Sequence, residues 1–557
     1  MPAADPIALL RAALAAAAAE VAGSAPPRVD LTPPARPEHG DLASPVAMTL
    51  AKAARRPPRE IAEGIATRLG ADAGLADLVT AVEVAGPGFL NLRLAPGWFA
   101  AVLAWVRAGG ERFGAGGAET PERVLLEFVS ANPTGPPHVG HARQAALGDS
   151  VARLLAFAGH DVAREYYVND FGRQMELYGA SVAARYAEIV GDPPHPPEDG
   201  YGGDYVGDVA RTLHDEVGEA WRGRLSPPDA EALAFFSGRG GDLMLARIQE
   251  VLARFRVGFD DYFSETALHA SGRVTAGVET LRAAGDAYEH EGAVWFRTSA
   301  YGDEKDRVLV RSDGATTYLA ADVAYHQDKA ARMGDRMIDV LGADHHGYIG
   351  RLRAVLAAAG HDPERLEVLI VQLVSLVEGG EARRMSKRAG TIVMLDDLID
   401  DIGVDAARFF LVERSSDTPI DLDLDLAREQ SQENPVYYVQ YAHARCCSIL
   451  ARAAEEGVTP NPGAPAPDAL DPSERAVVLR LAEWPEVARE AAERRAPHRV
   501  VAHLKDLARE FHAFYHRCPV LGEAPAVQRM RLDLTLAVRS VVATGLDLLG
   551  VEAPERM

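Results

Sequence analysis

Hydrophobic positions recur with two periods along this chain, and the switches between them divide it. Residues 1 to about 108 open with a helical pattern, MPAADPIALLRAALAAAAAEVAG, and end in the strand-like LVTAVEVAGPGFLNLRL. The glycine-rich stretch AGGERFGAGGAETPE that follows reads as a domain boundary. Next comes a β/α pattern: an apolar strand at 124–129, a helix at 138–157 with Gly159 as its C-cap, and a strand at 162–168. Strand, helix and parallel strand in that order cross over right-handedly and begin a doubly wound sheet. From about 172 to 307, helical patterns broken by the acidic, proline-rich GDPPHPPEDGYGGDY suggest an insertion. Strands resume with VLVRSDGATTYLAADVAYH, at 337–341 before GADHHG, and at 366–377 before EGGEARRMSKRAG. Each polar cluster follows a strand, where open α/β sheets place ligands. After about 427 the pattern is all helical, with a proline-rich linker at 458–472, as in a terminal bundle. The expected fold class is α/β: a doubly wound parallel sheet with its insertion at 119–426, an α+β module at 1–108 and an all-α bundle at 427–557.

Composition adds boundaries. A chain of 557 residues, 48% hydrophobic and 25% charged, is too long for one core and ordinary for a soluble protein. Cys446, Cys447 and Cys518 have no C-x-x-C spacing, so neither a disulfide framework nor a thiolate zinc site is expected, and a reducing cytoplasm is. The alanine-rich opening is no signal peptide, since Asp5 stands where a basic leader would and Glu20 interrupts the run. No apolar stretch approaches the ~20 residues that span a bilayer. The net charge of −23 argues against sequence-blind nucleic-acid binding. Residues 475–539, with 12 Lys/Arg against 8 Asp/Glu, permit an RNA partner, but such a helical segment is more often a solvated face.

Candidate chemistry concentrates in EFVSANPTGPPHVGH, residues 127–141, where a buried strand runs through a proline-bounded loop into a helix. His138 and His141 share one face of its first turn, where free N–H groups and the helix dipole favour an anion such as an ATP phosphate. H-x-x-H also suggests a metal site, but the spacing and the missing glutamate differ from the zinc protease helix. The second cluster, Arg384-Met385-Ser386-Lys387-Arg388, precedes Ala389-Gly390 and offers Lys387 to the β- and γ-phosphates. Alone, it reads as a solvated basic loop.

Together and in this order, HVGH and RMSKR resemble the HIGH and KMSKS signatures of class I aminoacyl-tRNA synthetases. Within that class the chain resembles arginyl-tRNA synthetases through EFVSANPTGPPHVGH, EYYVNDFGRQ, DGATTYLAADVAYH, LGADHHGY, RMSKRAG, NPVYYVQYAHAR and the terminal APERM. The chain departs at Arg384, in place of the first lysine of KMSKS, and at Val139, in place of isoleucine. Arginine keeps the charge but changes the hydrogen-bonding shape. Another synthetase of the class, such as the cysteine enzyme, would carry zinc ligands that these cysteines cannot supply. A synthetase-like tRNA binder without catalysis is the rival from a different class.

The resemblance implies a Rossmann-like catalytic domain, an amino-terminal tRNA-binding module and a carboxy-terminal anticodon-binding bundle. It implies ATP-dependent activation of L-arginine and transfer to the terminal adenosine of tRNA(Arg), with Mg²⁺ and without zinc. A cytoplasmic monomer whose activation depends on bound tRNA is expected. His138, His141, Lys387 and Arg384 would stabilise phosphate charge, with Gly140, Met385 and Ser386 also at ATP and the glycine letting adenosine approach. Tyr318 and Asp322 stand at i, i+4 and by resemblance hold the guanidinium, which demands a buried carboxylate. Glu127, Ser130 and Asn132 match positions that bind the substrate's polar end, and Asp344 and His345 are weaker candidates. For RNA, Phe89 and Asn91 would contact a base, or form a plain turn. Tyr437, Tyr441, His443 and Arg445 read as a mixture of packing residues and tRNA contacts.

Overall fold

The computed structural model describes residues 5–26, 28–34, 36–332, 334–383, 393–460 and 469–557, without the side chains of residues 37, 344 and 346. Helix α1 (Pro6–Ala22) is capped by Asp5, whose side chain accepts from the N–H groups of Ile7 and Ala8, and ends on Gly23 in the left-handed region. It packs on α3 (Pro58–Ala71) and α2 (Val46–Ala54), against the sheet β1 (Leu42–Ser44), β3 (Phe89–Leu94) and β2 (Val79–Ala85) in that antiparallel order. Helix α4 (Pro96–Gly109) sends Trp98 and Phe99 into the core and leads out of this module.

The central sheet is all parallel, in the order β11 (Leu366–Val371), β10 (Arg336–Gly342), β4 (Arg123–Glu127), β5 (Asp161–Val168), β6 (Asp261–Ser264). Chain order reverses between β4 and β10, so the loops leaving their carboxyl ends part there and open the crevice of a doubly wound sheet. Val124, Leu125 and Leu126 are buried on both faces, as a central parallel strand requires. Helix α5 (Val139–Ala158) crosses from β4 to β5 and packs so closely that a Cβ on Gly148 would meet the Phe128 ring at 2.3 Å. At its middle Asp149 meets Arg408 with both side chains sealed from water, and Arg408 also donates to the carbonyls of Leu549 and Phe255.

The span expected as a helical insertion is more divided than its pattern suggests. Helices α6 (Arg173–Val190), α7 (Asp204–Val217) and α8 (Ala230–Arg254) form a cluster. The chain then returns to the main sheet as β6, whose four residues are too few to display a period. Helices α9 (Glu265–Ala270) and α10 (Arg273–Ala284) follow, with the antiparallel sheet β7 (Ala287–His290), β8 (Ala293–Phe296), β9 (Arg307–Val310). Beyond it α11 (Tyr318–Arg332) leads into β10, and α12 (Ile349–Ala358) into β11.

The single strand expected at 366–377 is two: β11 ends at Val371, and β12 (Val374–Glu378) joins a separate sheet with β13 (Glu381–Ala382) and β14 (Ile420–Asp423). The break falls at Gln372-Leu373, where the Gln372 carbonyl accepts from Arg143 of α5 at 2.8 Å. Helix α13 (Leu395–Leu411) bends at Gly403, φ 78°. After α14 (Leu424–Arg428) come α15 (Pro435–Glu455), α16 (Pro472–Glu493), α17 (His498–Arg517) and α18 (Pro525–Leu548), an antiparallel bundle. The amino-terminal module leans on it: Arg475 pairs with Asp41, Arg107 with Asp533, and the Trp484 indole N–H donates to the Phe113 carbonyl at 2.9 Å.

Candidate active site

The loop after β4 is built under strain. Val129 (φ 70°) and Ser130 (φ 42°) are both left-handed, and a β-branched residue there is a true outlier. The Ser130 N–H donates to the Phe128 carbonyl at 3.0 Å, closing a three-residue turn of a kind that costs about 1–3 kcal/mol per strained residue. Neighbouring bonds hold it. Ser130 Oγ donates to Glu127 Oε1 at 2.9 Å and accepts from the Tyr167 N–H at 3.1 Å. The hydroxyl of buried Tyr166 takes both the N–H and the carbonyl of Ala131, and Asn132 Nδ2 donates to the Asn169 carbonyl at 3.2 Å.

His138 is the N-cap of α5, which begins one position later than the expected helix, with His138 Nδ1 accepting from the Gly140 N–H at 3.1 Å. The His138 and His141 rings stack with centroids 3.8 Å apart and planes 17° from parallel. A Cβ on Gly140 would lie 3.0 Å from His138 Cε1, so the glycine keeps space for the capping imidazole itself. Arg143, on the next turn, is 1% exposed and grips the carbonyls of Gln372, Ser415 and Thr418. With no carboxylate bonded to it, burial brings its guanidinium down to about 10, and Asp417 nearby opposes that only in part. On the other side the Val139 N–H donates to the Val393 carbonyl at 3.1 Å and the Leu395 N–H to the Pro137 carbonyl at 2.8 Å. Val393 is six residues beyond Lys387 in sequence. Arg384, Met385, Ser386 and Lys387 themselves lie outside the described residues.

An acidic pocket faces this loop. Tyr318 begins α11 and is 61% exposed, while Asp322, one turn on, is half-buried and accepts a bond from the Tyr348 hydroxyl. Sequence reasoning missed Glu265, the first residue of α9, which is 3% exposed and has no hydrogen-bond partner for Oε2 among the described residues. Nothing but its place directly after a short strand marks it in the sequence. Burial first, then the charges of Asp322 and Asp170, push the Glu265 carboxyl up to about 7. Burial likewise raises Asp322. Among the described residues neither carboxylate forms an ion pair with lysine or arginine, and His269, whose Nε2 lies 3.7 Å from Glu265 Oε1, has its charged form disfavoured by burial. The pocket therefore suits a cation supplied by a ligand. Asp344 belongs to the 3-10 turn Ala343–Tyr348 after β10, with its side chain outside the described residues, and His345 there is exposed.

Beneath the pocket lies a buried network. Lys329 Nζ, fully buried, donates at 2.6 Å to both Glu127 Oε2 and Asp339 Oδ1. The Tyr325 hydroxyl lies 2.9 Å from Glu127 Oε2 and 2.7 Å from Glu165 Oε1, and Arg332 meets Glu165 with both terminal nitrogens. Glu127, expected to meet substrate, thus already accepts from Ser130 and Lys329, and faces the Tyr325 hydroxyl, whose single proton it shares with Glu165. These bonds tie α11, and with it Asp322, to β4, β5 and β10.

Of the RNA-facing expectations, Phe89 is 39% exposed, whereas Asn91 is 5% exposed in the central strand of its sheet, between Ala43 and Glu83. The neighbouring strands pair the Asn91 backbone on both sides, and its side chain, projecting from a face of the sheet, is mostly covered. Tyr437, Tyr441 and Arg445 line one half-buried face of α15, the two phenol rings stacked 11° from parallel. The Arg445 guanidinium lies between the Tyr441 and Tyr515 rings, 4.5 and 4.1 Å from their centroids. His443 is a packing residue, its Nδ1 bonded to the Pro554 carbonyl at 2.9 Å.

Three family models match the chain: the arginyl tRNA synthetase N terminal domain over residues 8–94, the class I (R) tRNA synthetase catalytic domain over 111–194 and 243–434, and the DALR anticodon binding domain over 439–557. The arginine–tRNA ligase of Syntrophotalea carbinolica is 49% identical over 533 residues, 95% of each chain, and that of Geobacter sp. strain M21 is 46% identical over the same share. The Thermus thermophilus arginyl-tRNA synthetase structure superimposes with TM-score 0.75 at 27% identity, covering 99% of this chain and all of that one. On the fold, the crevice between β4 and β10 and these matches over its whole length, the chain belongs to the arginyl-tRNA synthetase family.

Proposed function

We propose that the chain activates L-arginine with ATP and transfers it to tRNA(Arg), and that the acidic pocket of Asp322 and Glu265 receives the guanidinium. The observation that supports this reading is the pair of carboxylates without a lysine or arginine partner among the described residues, in a chain that also offers a helix start suited to phosphate. A guanidinium there gains charge-assisted, shape-selective bonds that a lysine ammonium cannot copy. Asn132, with Ser130 held behind it, lies on the strained loop toward which the substrate's carboxylate would point.

In the first step the arginine carboxylate attacks the α-phosphorus of ATP, the new C(O)O–P bond forms, and the Pα–O bond to pyrophosphate breaks. In the second, a ribose hydroxyl of the terminal adenosine attacks the activated carbonyl and AMP leaves with the bonding pair. Magnesium arrives with ATP as its complex. Little covalent chemistry falls to the protein, so His138, His141 and the α5 amides would act by stabilising charge on oxygen, and Lys387 and Arg384 would join them through the flanking anchor at Val393. Met385 and Ser386 complete the expected ATP contacts. Phe89 and the Tyr437, Tyr441, Arg445 face would hold tRNA, and we place the enzyme in the cytoplasm as a monomer.

The test is aminoacylation of total bacterial tRNA with each of the twenty amino acids, using purified protein, ATP and Mg²⁺. Charging with arginine alone is expected. Pyrophosphate exchange into ATP should require tRNA. Tight tRNA binding without any charging would overturn the catalytic reading.

A further inference from the structure

His326 lies one turn beyond Asp322 on α11 and is 3% exposed. Its Nδ1 is 2.9 Å from the Asp322 carbonyl, which can only accept, so Nδ1 carries a proton. Its Nε2 is 3.1 Å from Asp339 Oδ2, and the other oxygen of that carboxylate already accepts from Lys329 at 2.6 Å. An aspartate so paired is ionised and also an acceptor, so Nε2 carries a proton too. Both ring nitrogens donating makes the side chain an imidazolium.

The charges around it close on the same answer. Three carboxylates meet beneath the pocket, Glu127, Glu165 and Asp339, and two permanent cations face them, Lys329 and Arg332. A protonated His326 is the third cation, and with it the buried network is neutral. Arg332 also pairs with Asp328, whose charge Arg273 balances in turn; the uncharged groups nearby are the Tyr325 hydroxyl within the network and Tyr348, which donates to Asp322 from the turn after β10. Across the pocket stands Glu265 of α9, whose charge opposes that of Asp322.

We infer that His326 is a buried imidazolium that positions Asp322 for the substrate guanidinium, binding its main-chain carbonyl and supplying the positive charge that keeps its carboxylate ionised while the pocket is empty. Without that charge, Asp322 sits desolvated beside Glu265 with a proton as its easiest partner, and a protonated acid cannot pair with a guanidinium. Burial alone would strip the proton from His326, but the bond to Asp339 and its charge outweigh that and raise the imidazole. His326 is therefore a positioning residue that acts through Asp322, and the inference rests on the assignment of the pocket to arginine.

The test has two arms on the full-length enzyme. In ¹⁵N-histidine spectra, the wild type should retain a slowly exchanging ring with both nitrogens protonated at pH 8, about 1.5 units above the ordinary histidine pKa. In aminoacylation, H326Q keeps a side-chain amide for hydrogen bonding but removes the charge. Its KM for arginine should rise about tenfold with KM for ATP within twofold, and the acid limb of kcat/KM for arginine should move up by about one pH unit, the same 1.4 kcal/mol read two ways. A uniform loss at every pH, with the acid limb unmoved, is what a structural role gives and overturns the inference, as does a wild type with no imidazolium at pH 8. Where H326Q does not fold, the spectra decide. A wild type that charges no arginine overturns the pocket assignment and this inference with it, and the histidine signal then shows which part failed.

Discussion

The Lys329 ammonium lies 2.6 Å from Glu127 Oε2 with no exposure to water, and it is the nearest cation holding the end of β4 to α11. Breaking a buried pair by removing one partner costs about 3–5 kcal/mol, because the other charge is left uncompensated. Here removal strands two, since Asp339 shares the same ammonium. Lys329→Met is expected to lower unfolding stability by at least that amount in urea titrations. Adding Glu127→Gln should recover part of the loss, so that the double variant is less destabilised than the sum of the two singles. Strict additivity would show that the two residues do not act as a pair.

Asp322 and Glu265 share the pocket without a lysine or arginine of their own among the described residues, so truncating either should act on the amino acid and spare the nucleotide. Asp322→Ala removes a charge-assisted bond and leaves a buried guanidinium short of a partner, a loss of about 2–3 kcal/mol, or roughly 30- to 150-fold in kcat/KM for arginine. Glu265→Gln, which keeps the shape, should cost less but in the same direction. Steady-state charging with arginine and ATP varied in turn separates the effects, and parallel losses for both substrates would count against the assignment.

Legibility from sequence followed how local each signal was. The α5 helix and its C-cap Gly159 were readable because apolar face and terminator lie within one stretch, whereas His138, read as the first helical residue, is the N-cap. Tyr318 and Asp322 were readable as neighbours because helical spacing fixes them. Glu265 was not, since β6 is four residues long and its place at the sheet edge is set by pairing with Tyr166 and Tyr167, far away in sequence. Nor was the division of 366–377 at Gln372-Leu373, where the run of apolar residues continues but the strand changes sheets. The burial of Glu127 and Asn91 is set by neighbouring elements, which periodicity within one strand does not report.

The Glu265 carboxyl titrates near 7 in the empty protein, against an ordinary value of 4.5, because burial and two neighbouring acids disfavour its charge. The folded state thus holds this proton more tightly than the unfolded chain. Its stabilising contribution is present below about 4.5 and is lost as pH rises through 7. Arginine, which pairs with the ionised form, reverses the sense: binding should release a proton and tighten as pH rises from 6 to 8. Calorimetric titration in buffers of different ionisation enthalpy, with tRNA present, should give net proton release near pH 7. The melting temperature gained on adding arginine should grow over the same window. Proton uptake on binding would refute the pairing.

The Arg445 guanidinium is held between Tyr441 and Tyr515 on the exposed side of the bundle, an arrangement that costs side-chain entropy and has no carboxylate to compensate it within the described residues. Stacked rings with a guanidinium over their faces suit an unpaired base and its phosphate, the pairing by which single-stranded RNA is gripped. Arg445→Ala should weaken tRNA(Arg) binding, and if the guanidinium contacts one phosphate, the slope of log affinity against log salt should fall by about one. Tyr441→Phe removes the hydroxyl that receives the Arg445 bond but leaves the ring, so it should lower affinity less and leave the salt slope unchanged. Filter-binding titrations at several salt concentrations distinguish the two. An Arg445→Ala enzyme with wild-type affinity and slope would make this face a packing feature of α15 and α17 and move the RNA contact elsewhere on the bundle.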